Sequence, residues 1–274
     1  MAKISAEVQR YYNEKTRSCQ ETIASIIKGE EEDLLKIRDS SAPAAEKYLD
    51  LCEDMLFLTS NYLVLSGISR SMLKLRNERA LNDARKSVYK AVIYLEKVVS
   101  PYLDVPFSEY EGMLADIAQV SVLRRYSIIR KMGLAIHLLK NGFGNNTKWK
   151  WAFVELEGRY AAVAKNIVDL KTAVSKSTDP YSPDHEPMVS HLRLVKKLLL
   201  NAADHYRQMY ELSTSRIDDF RTGMEFLAAL KRIHILFWEQ EDAETIKKKS
   251  DVWHSKLEKD RRKKEEAFKQ IQNG

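Results

Sequence analysis

Apolar residues recur along this chain in alternating steps of four and three, and that spacing limits its fold more than any motif does. From Trp149 the series reads Trp149, Phe153, Leu156, Tyr160, Val163, Ile167, Leu170 and Val174. At about 100° per residue such positions stay on one stripe, so the pattern is the a/d seam of a long helix packed on a partner. Asn145 or Thr147 can cap its start, and Lys171 and Lys176 suit the negative end of its dipole.

Further seams follow the same rule. One runs through Tyr48, Leu51, Met55, Leu58, Tyr62, Leu65, Ser69 and Met72, with Pro43 in its first turn and Gly67 as a kink or a close contact. Another runs through Leu81, Ala84, Val88, Ala91, Leu95 and Val98, with Asn82 as its cap, and Pro101 and Pro106 close it. A fourth reads Met188, Leu192, Val195, Leu199, Ala202, Tyr206 and Met209. After a phase shift at Ser213-Thr214-Ser215 it continues through Ile217, Phe220, Met224, Leu227, Leu230, His234 and Trp238. The shift is either a break between helices or a stutter within one.

Residues 108–140 are apolar on nearly every face, which places them at the centre of a bundle rather than on a two-stranded seam. A first helix from Lys3 to Lys28 ends near Gly29, and the acidic turn Glu30-Glu31-Glu32-Asp33 opens a short helix to Ile37. The expected fold is therefore all-α, an elongated multi-helix bundle of long antiparallel heptad-patterned helices. Only nine glycines and six prolines interrupt 274 residues, too few for a turn-rich β fold.

Three prolines between Pro180 and Pro187 mark 177–187 as a linker or a long inter-helix loop. This divides the chain into an N-terminal bundle portion, 1–176, and C-terminal helices, 188–274, expected to pack on the same bundle. From about residue 241 the chain becomes a charged tail. The N-terminus has no apolar h-region, and no run of about 18 apolar residues occurs, so a cytoplasmic protein is expected. A protein stripped of an export signal would read the same. Cys19 and Cys52 read as reduced thiols among apolar neighbours.

Candidate chemistry is sparse. Paired Glu-x-x-His motifs on facing helices would announce a metal site, but the nearest match is a single Asp251-x-x-His254 in the charged tail. No nucleophile elbow, P-loop or dinucleotide fingerprint occurs, and His137 and His234 read as core or boundary residues. The expectation is a non-enzymatic chain with no cofactor, no metal and no evident small-molecule substrate.

Two features stand outside the packing pattern. Trp151 lies off its seam, either against a second neighbour or exposed at an interface. Basic runs stand at Lys247, Lys248 and Lys249 and at Arg261, Arg262, Lys263 and Lys264, among acids that can pair with them. The reading that follows is a structural or scaffolding protein, mediating protein–protein interaction or self-assembly as in a coat or filament. The alternative is a peripheral binder of anionic membrane or nucleic acid acting through its basic C-terminal helix.

Overall fold

In a computed structural model of the chain, residues 5–40, 44–103, 105–145 and 147–272 are described, without the side chains of 263–265 and 267–272. Pro43, proposed above as a first-turn residue, and the side chains of Lys263 and Lys264 lie outside this set. The described residues form ten α-helices and one π-helical turn, with no strand among them. No helix among them is long and apolar enough to cross a membrane. They divide into two compact units.

The first unit comprises residues 1–101 and 107–169. It contains α1 (Ala6–Asp39), α2 (Ala45–Leu73), α3 (Glu78–Val98), α4 (Phe107–Ala115), α5 (Val122–Phe143) and α6 (Lys150–Asn166). The seam residues of α3, from Leu81 to Val98, are all buried. The cap of α3 is Asn77 rather than Asn82: Asn77 accepts from the Ala80 N–H at 2.9 Å, while Asn82 donates back to the Glu78 carbonyl within the helix.

Helix α1 does not stop at Gly29. Glu30, expected in an acidic turn, is buried, and Lys90 and Tyr94 of α3 both donate to its carboxylate. Two charge-assisted bonds on the residue after the glycine hold this stretch against α3, which outweighs the roughly 1 kcal/mol a mid-helix glycine costs.

The segment 108–140 is likewise not one central helix. It breaks at residues 116–121 into α4 and α5, and α5 leaves Leu123, Leu134 and Leu138 exposed. Buried Arg125 satisfies the break, donating to the carbonyls of Ile117 at 2.5 Å and Val120 at 3.1 Å. Helices α2, α3 and α5 form the middle of the unit: α2 packs against α1, α3 and α5, and α5 against α2, α3 and α6.

The seam from Trp149 is interrupted as well. Phe153, Leu156, Tyr160, Val163 and Ile167 are buried, but α6 ends at Asn166 and Trp149 is its half-buried N-cap, without a side-chain cap bond. Thr147 instead accepts from the Trp149 N–H at 3.2 Å.

The second unit comprises residues 102–106 and 170–274. It contains α7 (Leu170–Thr178), α8 (His185–Met209), the π-helical turn Tyr210–Thr214, α9 (Ile217–Leu236) and α10 (Gln240–Gln272). The phase shift expected near Ser213 is this π-helical turn, closed by Ser215 in the left-handed region at φ 49. Proline 187 sits in the first turn of α8, where it is tolerated, so the non-helical stretch shrinks to residues 179–184.

Between α8 and α9 the contact is close: a Cβ on Gly223 would meet the Ala203 carbonyl oxygen at 3.1 Å. Helix α10 docks by Ala243, Ile246, Trp253 and Leu257. The Trp253 ring is fully buried, 5.6 Å from Phe220, and Tyr210 donates to Asp260 at 2.9 Å.

Candidate functional site

The residues singled out by sequence are divided between the two units, Trp151 in the first and the basic residues of α10 in the second. Trp151, in the first turn of α6, is half-buried, with the Lys150 ammonium 4.7 Å from its ring centroid. Beside it, Trp149 lies under the Arg85 guanidinium at 3.9 Å. Both indoles thus face cations of their own unit.

The basic residues of α10 fan around the helix. Lys249 turns inward, bonded to Asp204 of α8 at 2.7 Å and lying 5.3 Å from the Trp253 centroid. Lys247 pairs with Glu244 at 3.6 Å, while Lys248, Arg261 and Arg262 are exposed. Successive residues about 100° apart cannot share a face, so these cations make no single patch.

The most unusual geometry lies at the corner from α9 to α10, at residues sequence reasoning assigned to packing or passed over. The Trp238 N–H donates to the Ile235 carbonyl at 3.1 Å and the Glu239 N–H to the His234 carbonyl at 2.9 Å. This pair of nested bonds is a Schellman motif, whose left-handed residue is usually glycine. Here it is Trp238, at φ 57, with 69% of its surface exposed. Ile235 and Leu236 are exposed beside it in the sequence.

Beneath the turn is a polar clamp. The Lys196 ammonium, from α8, donates to both carboxylate oxygens of Glu239, at 2.6 Å to Oε2. The mostly buried His234 places Nδ1 2.6 Å from that same Oε2. In many Schellman turns an apolar contact joins these two positions; here a charge-assisted bond does. Burial alone would raise the Glu239 titration, but Lys196 and His234 outweigh it and hold the carboxyl below its ordinary range.

Asp242 completes a set of potential metal ligands with His234 and Glu239, all within 4.8 Å of one another. The donor set suits a divalent transition metal. The arrangement does not, because the Lys196 ammonium engages both Glu239 oxygens and His234 bonds directly to one of them. A metal would have to displace both. The clamp therefore works as a positioning device that fixes the chain before and after Trp238.

A family model matches residues 8–261, from early in α1 to the docked part of α10, and its description is TP0443 family. The chain belongs to the TP0443 family. No curated protein and no solved structure matches it. The family match spans both units, including the α9–α10 corner and most of the basic residues of α10.

No sequence signal announced the corner. The glycine that marks a Schellman turn is replaced by tryptophan, and Trp238 falls in register with the α9 seam.

Proposed function

We propose that this TP0443-family chain is a non-enzymatic scaffolding protein, which binds other proteins through surfaces its own helices do not cover. Trp238 carries the reading. A left-handed residue with a side chain costs roughly 1–2 kcal/mol relative to glycine, and an exposed indole forgoes its burial. Both choices are unfavourable for folding alone, and exposed tryptophan on a fixed turn has the character of an interface anchor.

Ile235 and Leu236 extend the apolar character of the corner, and Glu241 and Asp242 add exposed negative charge in the first turn of α10. The complementary partner is a protein surface with an apolar pocket and a basic rim. The basic-helix reading has less support, because Lys249 and Lys247 are engaged by Asp204 and Glu244.

The test is quantitative affinity purification of the tagged chain and of Trp238→Gly, which keeps the left-handed turn and removes only the ring. Co-purifying proteins lost with the glycine variant support the reading. An identical protein profile for the two chains, with both folded, overturns it.

A further inference from the structure

The first unit carries a face that the fold leaves open. From Met55 to Ser69, fifteen consecutive residues of α2 bear no charge, in a chain 31% charged. Burial on several sides accounts for part of this, since Met55, Leu58 and Leu65 are buried. It does not account for Phe57, Ser60, Val64 and Gly67, which are exposed and spaced three, four and three apart, on one stripe. Phe57 is 56% and Val64 47% exposed, and nothing stands within 4 Å of where a Cβ on Gly67 would be.

Helix α5 runs alongside in the same direction. Its register on α2 is set by Lys131, bonded to Glu53 at 2.7 Å, and by Gly142, whose Cβ position lies 3.9 Å from Leu63. Between these contacts α5 presents Leu134 and Leu138, 58% and 44% exposed. The four large side chains leave apolar surface on the order of 350–400 Å² open, a size that in monomers often marks a binding site.

The two helices also differ in charge at one level of this stripe. Asp54, one turn before Phe57, is exposed and has no cationic partner among the described residues. Burial and the like charges of Asp50, Asp33 and Glu53 raise its titration. Arg130, one turn before Leu134, is exposed and makes no ion pair among the described residues, its guanidinium lying 5.5 Å from the Tyr126 ring. The neighbouring Glu53–Lys131 bond places Asp54 and Arg130 level with each other.

We propose that the α2/α5 face is an isologous interface between two copies of this chain. A two-fold axis parallel to the helices sets α2 of one copy over α5 of the other. Asp54 then meets Arg130, and Phe57 and Val64 meet Leu134 and Leu138, twice over. Both unpartnered charges gain opposite charges and the apolar stripe is covered. The face belongs to the first unit and the Trp238 corner to the second, and the proposal does not depend on that corner.

The test is sedimentation equilibrium on the full chain, with circular dichroism to verify helicity. The wild type should dimerise reversibly, and Val64→Glu should be monomeric. Asp54→Lys and Arg130→Glu should each weaken self-association at least about tenfold, corresponding to about 1.4 kcal/mol. Mixed one to one, those two reversed chains should pair as a heterodimer, because each supplies the charge the other lacks. Trp238→Gly should dimerise like the wild type, which separates this face from the corner. A wild type monomeric at every concentration, an unaffected Val64→Glu dimer, or reversed chains that do not recover association on mixing would each overturn the assignment.

Discussion

Replacing Gly133 by alanine probes how tightly α5 and α6 pack. A Cβ at Gly133 would lie 2.7 Å from the Tyr160 hydroxyl and 3.3 Å from the ring carbon bearing it. That hydroxyl is buried and donates to the Ile129 carbonyl at 2.8 Å. Alanine gains about 1 kcal/mol in helix propensity. Against that stand overpacking, about 1–3 kcal/mol, and the displaced hydroxyl, about 1–3 kcal/mol if left buried and unpaired. The expected net loss is about 3 kcal/mol. Tyr160→Phe alone should cost only about 1 kcal/mol, because the Ile129 carbonyl also serves the helix ladder. Gly133→Ala with Tyr160→Phe should return close to wild type, since the clashing atom is gone. Hydrogen exchange of the α5 and α6 amides across a urea series is the suitable assay, as two units need not unfold together. Additive losses in the double variant would refute the reasoning, for they would mean that the hydroxyl and the new methyl group never compete for space.

Three further expectations follow from named contacts. Glu30→Ala should destabilise the first unit by about 2–4 kcal/mol, measured by exchange of the α1 and α3 amides, because it leaves buried Tyr94 without its acceptor. Glu239, held below its ordinary titration, should contribute stability that is full above its unfolded pKa. That contribution should be lost as pH falls through the lower folded value, so Glu239→Gln should weaken the second unit at pH 7 and not at the acid end of a melting series. Its size should stay within about 1 kcal/mol, since the pair with Lys196 is partly screened by solvent. Asp54→Asn should act in the opposite sense in dilute, monomeric protein. It should stabilise at neutral pH, and the gain should fade as pH falls through the raised Asp54 titration.

Heptad spacing made the helical class legible, and it located the buried faces of α3 and α8 nearly residue by residue. It was blind to backbone interruptions. The seam through Trp149 and Val174 keeps its rhythm in the sequence although the helix breaks between α6 and α7, and beyond the break Ala173 is buried rather than Leu170 or Val174. At Gly29 the opposite error arose: a local breaker signal lost to long-range bonds between Glu30 and α3, which the linear sequence does not display. Arg124 and Arg125 are adjacent cations in the sequence. In the fold, Arg124 binds Asp50 and Glu53 of α2 while Arg125 caps carbonyls, so their charge is largely used internally. Trp238 was hidden because its spacing matched the seam of α9, and its positive φ and exposed ring distinguish it from a core residue on a helix.

The central claim is that Trp238 anchors a protein partner. The most direct measurement places a photo-crosslinking amino acid at position 238 and, separately, at Tyr181, which is 95% exposed on a loop of the same unit. After irradiation in the native host, the account predicts discrete adducts from position 238 to one protein or a few, and none of them from position 181. Position 238 yielding no adduct, or the same adducts as position 181, would contradict it.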